Sequence, residues 1–197
     1  MLEISDDIAL AQAGEGSREA FGILYERYVG RIYNYIYYRT GNQADAEDLT
    51  ARVFFRAMHH IQNYQNRGLP FSAWLYRIAH NLVANWHRDN SRRPEIALDD
   101  GMIVQQHGQE HPESALLKSE EQERLLRLIR RLPPDRQQLL ILKFVDHQSN
   151  AEIGQIMGRT EGAVKSLYHR TLLSLRCELQ ELSSDDQHDR AGLPDQE

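Results

Sequence analysis

Arg77, Asn81 and Arg88 recur along "FSAWLYRIAHNLVANWHRDNSRR", Phe71 to Arg93, with Trp74 and Asn85 at their borders. At about 100° per residue these positions share one side of a helix. A guanidinium holds phosphate, a carboxamide reads a base edge and an indole stacks on a base, so the strip suits a nucleic-acid strand. A solvated helix face explains the same residues only if their alignment is chance. Phe71, Leu75, Ile78, Leu82 and Trp86 gather on another face, which reads as core, and Tyr76, His80 and His87 form a milder polar strip.

A second constellation lies in "QSNAEIGQIMGRTEGAVKSLYHRTLLSLR". Ser149 and Glu152 have the S-x-x-E spacing of a capping box, which satisfies the free amides of a helix start. Gly158 permits a tight turn, and Thr160 can cap the helix that follows. On that helix Val164, Leu167, Thr171 and Leu175 form a packing stripe, while Glu161, Gly162, Lys165, Ser166 and His169 face away. This is the pattern of a helix-turn-helix, whose second helix enters the major groove with its N-terminal turns against base edges. A generic helical hairpin is the plainer alternative.

Other segments are less selective. Asp45, Glu47 and Asp48 in "GNQADAEDLTARVFFRAM" suit the positive end of a helix dipole, and equally an acidic and apolar contact for a basic partner helix. Six of the nine tyrosines lie between Tyr25 and Tyr38; aromatics stack on bases, but at helical spacing core packing is the first expectation. "HGQEH", His107 to His111, fits the H-x-x-E-H pattern of some zinc peptidases, yet Gly108 interrupts it and Pro112 ends it. No metal site, cofactor or catalytic group is expected. Cys177 is the only cysteine, which excludes an internal disulfide and a thiolate-rich zinc site within one chain.

The elements that must position these residues are helices throughout, because apolar spacing follows the helical period and no alternating run is framed by hairpin turns. The periodicity predicts helices over 6–13, 17–39, 43–61, 71–89, 114–131, 134–145, 150–157 and 161–181. The expected fold class is all-α: two small helical domains, 1–92 and 114–183, joined by a flexible acidic linker at 93–113 and followed by a disordered tail at 184–197. The C-terminal domain carries the helix-turn-helix. A chain of 197 residues, 41% of them hydrophobic, can bury such cores.

Charge follows the same division. The net charge of −6 hides two basic blocks: residues 63–94 carry five basic side chains and one acidic, and residues 124–183 carry ten and six. A polyanion is steered by these local fields. The opening segment has no basic start, and no stretch approaches the roughly 18 to 20 apolar residues of a membrane span, so a cytoplasmic protein without membrane insertion is expected.

"DAEDLTARVFFRA", "PFSAWLYRIAHNLVANWHR", "LPPDRQQLLILKF" and "NAEIGQIMGRTEGAVKSLYHR", in that order, closely resemble the extracytoplasmic-function (ECF) sigma factors of bacterial RNA polymerase. The resemblance implies a factor that directs core polymerase to specific promoters and helps melt them. It assigns core binding, at the clamp helices of the largest subunit, to Asp45, Glu47, Asp48, Leu49, Val53 and Phe54. It assigns minus-ten DNA to Asn63, Arg67, Trp74, Arg77, Asn81, Asn85 and Arg88. It assigns minus-thirty-five DNA to Arg159, Thr160, Glu161, Lys165, Ser166, His169 and Arg170. Further partners implied are the flap of the second-largest subunit and an anti-sigma factor. Arg52 departs from the pattern, standing where an acid is usual. The competing function is a helix-turn-helix regulator that binds duplex DNA without being a polymerase subunit; it leaves the Arg77, Asn81, Arg88 strip unexplained.

Overall fold

The computed structural model describes residues 4–64, 68–90 and 126–190, which are helical or turn with no strand among them. The expectations at Arg67, at the linker 93–113, at His107 and His111, and for the helix before residue 126 lie outside the described residues.

The N-terminal half contains α1 (Asp6–Gly14), α2 (Arg18–Thr40), α3 (Gln43–His60), a 3-10 turn at Ile61–Asn63, and α4 (Phe71–Asn90). The first three starts have a local cause. Ser5 and Ser17 accept from the Ile8 and Ala20 amides, and Asn42 accepts from Asp45 N at 3.0 Å. Gly41 ends α2 in the left-handed region at φ 73°, where a side chain would be strained. Leu24, Ile32, Ile36, Leu49, Val53, Leu75 and Leu82 fill the space between α2, α3 and α4. Five of the clustered tyrosines are buried or half-buried, as core packing requires, and Tyr25 is more exposed with its ring edge against Phe54.

The C-terminal half contains α5 (126–131), α6 (Pro134–Leu140), a π turn at Ile141–Val145, α7 (Asn150–Met157) and α8 (Glu161–Arg190). Pro134 opens α6 at a position where a missing amide costs nothing. The helix expected over 134–145 changes winding at Ile141: Asp146 N donates to Ile141 O at 3.1 Å, five residues back. The tail differs from expectation as well. Helix α8 continues to Arg190, because no glycine or proline interrupts the chain between Gly162 and Gly192. Residues 191–197 lie outside the described residues.

The two halves share one core. Leu139, Ile141, Leu142, Ile153, Ile156, Val164 and Leu167 join the apolar cluster built by α1 to α4, with α7 lying against α4 and the π turn against α2. A smaller cluster of Leu128, Leu132, Leu140 and Leu175 ties α5, α6 and α8 together.

Candidate nucleic-acid and protein interfaces

Three sides of α4 have three fates. Leu75 and Leu82 pack inward with Phe71, while Tyr76, Ala79 and Val83 are buried beside them. Arg77, Asn81, Asn85 and Arg88 remain exposed along one edge, as their spacing predicts. Arg88 Nη2 donates to Asn85 Oδ1 at 2.9 Å, so the guanidinium and carboxamide sit side by side. At the N-terminal end of this strip lies a concavity of about 440 Å³, lined by His60, Asn63, Tyr64, Leu69, Trp74 and Arg77 among others. Two of its lining residues are aromatic, Trp74 and Tyr64, whose rings lie 4.9 Å apart, centroid to centroid; buried Phe71 backs Trp74 at 5.7 Å. Cation, amide and ring thus meet at one mouth, which suits a phosphate with its base.

The helix-turn-helix forms as its sequence demands. Ser149 N donates to Glu152 Oε2 at 2.8 Å and Glu152 N to Ser149 Oγ at 3.2 Å, a complete capping box, and the bonds that stabilise the Glu152 carboxylate lower its pKa. Gly158 turns the chain at φ 66°. Gly154 is needed for close approach, since a Cβ there would stand 2.7 Å from the Arg159 carbonyl oxygen.

On α8, Glu161, Lys165, Ser166, His169 and Arg170 are exposed, and Val164 and Leu167 are buried. Lys165 Nζ lies 2.8 Å from Glu161 Oε1, and this cation is the main cause of the lowered Glu161 pKa. Thr160 accepts from Ala163 N at 3.2 Å and so caps α8, which carries these exposed side chains. Arg159 is paired with Asp135 of α6.

Helix α3 buries Ala46, Leu49, Thr50, Val53, Phe54 and Ala57. Leu49, Val53 and Phe54, expected at a protein contact, therefore lie in the core, exposed by 1%, 0% and 4%. The stripe at three- and four-residue spacing is the side that faces α2 and α4, so these residues hold the helix in place. Asp48 and Glu47 are exposed and Asp45 half-exposed, and Arg52 reaches Asp48 at 3.6 Å. Beside them the structure exposes Phe55 by 61% and Met58 by 47%, with the His59 ring tilted against Phe55 at 4.1 Å between centroids. The sequence reading missed both. The signal was available: Phe55 falls one position past the buried stripe, on the same side as Asp48 and Arg52.

A comparable apolar patch on the C-terminal half was also missed. Phe144 is 55% exposed and Leu172 40%, and Tyr168 lies 6.1 Å from Phe144. Tyr168 is half-buried and packs against the core, one helical turn before Leu172 on α8.

Residues 24–93 match the family described as sigma-70 region 2, and residues 122–175 match sigma-70 region 4. Over 191 residues the chain is 32% identical to the ECF RNA polymerase sigma factor SigW of Bacillus subtilis, covering 88% of this chain and 96% of SigW. The chain belongs to the ECF sigma factors. It is also 41% identical over 175 residues to the ECF sigma factor BldN of Streptomyces coelicolor, covering 89% of this chain and 64% of BldN, so it spans somewhat under two thirds of that relative. Among solved structures, CnrH in complex with the cytosolic domain of CnrY shares the fold with a TM-score of 0.67 at 22% identity, over 89% of this chain and 97% of CnrH. In this sigma factor the region 2 match takes in α4 with its exposed strip, α3 and most of α2, and the region 4 match takes in the whole helix-turn-helix. No described helix is long and apolar enough to cross a membrane.

Proposed function

We propose that the chain is the dissociable subunit that brings core RNA polymerase to a subset of promoters and helps open them. The observation that carries this reading is the α4 strip: Arg77, Asn81, Asn85 and Arg88 exposed in line on a helix otherwise committed to packing, beginning at an aromatic concavity. A duplex-binding regulator needs the helix-turn-helix but has no use for a strand-holding surface elsewhere. In this reading α4 and the loop from Asn63 to Pro70 hold the non-template strand of the minus-ten element. The start of α8, with Lys165, Ser166, His169 and Arg170, reads the minus-thirty-five element in the major groove. The N-terminal domain of residues 1–92 does the first and the C-terminal domain of residues 114–183 the second.

Asp48, Phe55 and Met58 form the contact to the clamp helices of the largest subunit, and Phe144, Tyr168 and Leu172 that to the flap of the second-largest. An anti-sigma protein would compete for these faces. The factor works in the cytoplasm beside its polymerase; it binds and positions, and the polymerase performs nucleotidyl transfer.

Run-off transcription with purified core polymerase on a genomic fragment library tests the activity and yields the promoter. Arg77→Ala or Asn81→Ala is expected to lower open-complex formation by about tenfold or more with core binding retained, since one phosphate or base contact is worth about 1–3 kcal/mol. Normal strand opening by both variants, or tight sequence-specific duplex binding by the chain alone, would overturn the reading.

A further inference from the structure

Helix α1 lends no side chain to the α4 strip or to the lining of the concavity beside it, yet its first residue, Asp6, is bound at both carboxylate oxygens. Arg27 Nη1 donates to Asp6 Oδ1 at 2.6 Å, the Tyr28 hydroxyl donates to Asp6 Oδ2, and Arg27 Nη2 donates to Ile4 O at 2.5 Å. Asp6 and Arg27 are only partly exposed, so these charge-assisted bonds are screened less than a surface pair. Burial and the bond to Asp6 both raise the Tyr28 hydroxyl pKa, which keeps it a donor.

Two routes lead from α1 to the concavity. The Tyr28 ring stands edge-on to Phe71 at 5.6 Å, and Phe71 in turn meets Tyr64 at 5.8 Å and Trp74 at 5.7 Å, the two aromatic side chains of the lining. Phe71 is the first residue of α4, so whatever fixes its ring also fixes where the helix that carries Arg77 begins. The far end of α1 lies against the 3-10 turn, with Ala9 and Ala13 buried. A Cβ on Gly14 would stand 3.9 Å from Ile61 O, the same carbonyl that accepts from Tyr64 N at 3.0 Å. The Tyr64 hydroxyl donates to Leu69 O at 3.4 Å, which ties this wall to the residue before Pro70.

We propose that Asp6 and Tyr28 are positioning residues for strand capture: by fastening α1 to α2 they hold the Tyr64 and Trp74 rings in the arrangement that receives a nucleotide beside Arg77. This rests on the sigma-factor reading. Edge-on ring pairs transmit position because their contact geometry is narrow. A wall that is already ordered spares the entering nucleotide the entropy of ordering it, so a loosened wall weakens strand capture although no contact to DNA has been removed.

The test uses the full chain with core polymerase. Tyr28→Phe keeps the ring against Phe71 and removes only the bond to Asp6, and Asp6→Asn keeps the size of the side chain and removes its charge. Each should lower open-complex formation, read by 2-aminopurine in the non-template strand, about threefold to tenfold, with core binding and binding to minus-thirty-five duplex retained. The double variant should lose little more than either single one, because both cut the same bond. With Trp86→Phe as background Trp74 is the sole tryptophan, and acrylamide should quench it more readily in both variants at unchanged helical content by circular dichroism. Full strand opening by both variants would overturn the proposal. So would reduced opening with Trp74 no more accessible, since the two residues would then act through general stability alone. If the unsubstituted chain opens no promoter with core polymerase while Trp74 still responds to the substitutions, the sigma-factor reading falls, and the strand role of Asp6 and Tyr28 with it.

Discussion

Two adjacent phenylalanines show how much one residue of rotation decides. Phe54 is buried against Tyr25 and the core, whereas Phe55 points to solvent. Phe54→Ala is expected to lower stability by about 3–5 kcal/mol, the cost of a large buried ring and its cavity. Phe55→Ala should leave unfolding within about 0.5 kcal/mol and weaken binding to core polymerase. Thermal unfolding and a core-binding titration on both variants check this pair; weakened core binding by Phe55→Ala with no stability loss is the decisive result. At this scale the α4 strip was legible in sequence, because Arg77, Asn81, Asn85 and Arg88 advertise themselves by type. The exposed face of α3 was legible only in part. "DLTARVFF" offers two apolar sides, and which one is core depends on where α2 and α4 lie.

Among the elements, the helix-turn-helix is the most local and was read correctly from its capping box and Gly158. Its tight point is Gly154. Gly154→Ala puts a methyl 2.7 Å from the Arg159 carbonyl oxygen, so the turn must spread, at a cost of about 1–3 kcal/mol. Gly162→Ala on α8 meets open space and should be neutral or stabilise by up to about 1 kcal/mol. Denaturant unfolding separates the two; equal effects would mean that the turn is not close-packed. The π turn at Ile141–Val145 was not legible, since its residues fit an α-helix equally well. What selects the wider winding is tertiary: it ends the element with Asp146 against Tyr76 and lets Gln148 N reach Leu142 O at 2.9 Å. The continuation of α8 to Arg190 was hidden by composition, because polar, acidic residues read as tail even where no breaker stops the helix.

For the molecule as a whole, acidity should loosen the joined core. His80 has its pKa lowered from 6.5, first by burial and then by Arg39, against opposing effects of Asp135 and Gln138 on α6; Tyr35, Arg77 and Arg159 complete its surroundings. His87 is lowered by burial and Arg39, against a hydrogen bond to the Arg39 backbone. Both histidines bind protons less readily folded than unfolded. Stability is therefore full above about pH 6.5 and falls as pH drops through that value toward the lowered pKa. Asp146, raised from 3.8, works in the opposite sense, with a window that begins in the carboxylate range. Denaturant midpoints at about pH 7.5 and about pH 5.5 should show the loss, and His80→Gln should reduce it; an unchanged slope in His80→Gln would refute the assignment.

The sequence by itself determined the helices, the helix-turn-helix and the exposed Arg77, Asn81, Asn85 and Arg88 strip, because periods, caps and charge blocks act within one or two turns of chain. Only the tertiary structure decided which second face of α4 is covered and by what. A tyrosine at helical spacing reads alike as surface or interface until the packing of residues 70 positions apart brings Asp146 to its hydroxyl.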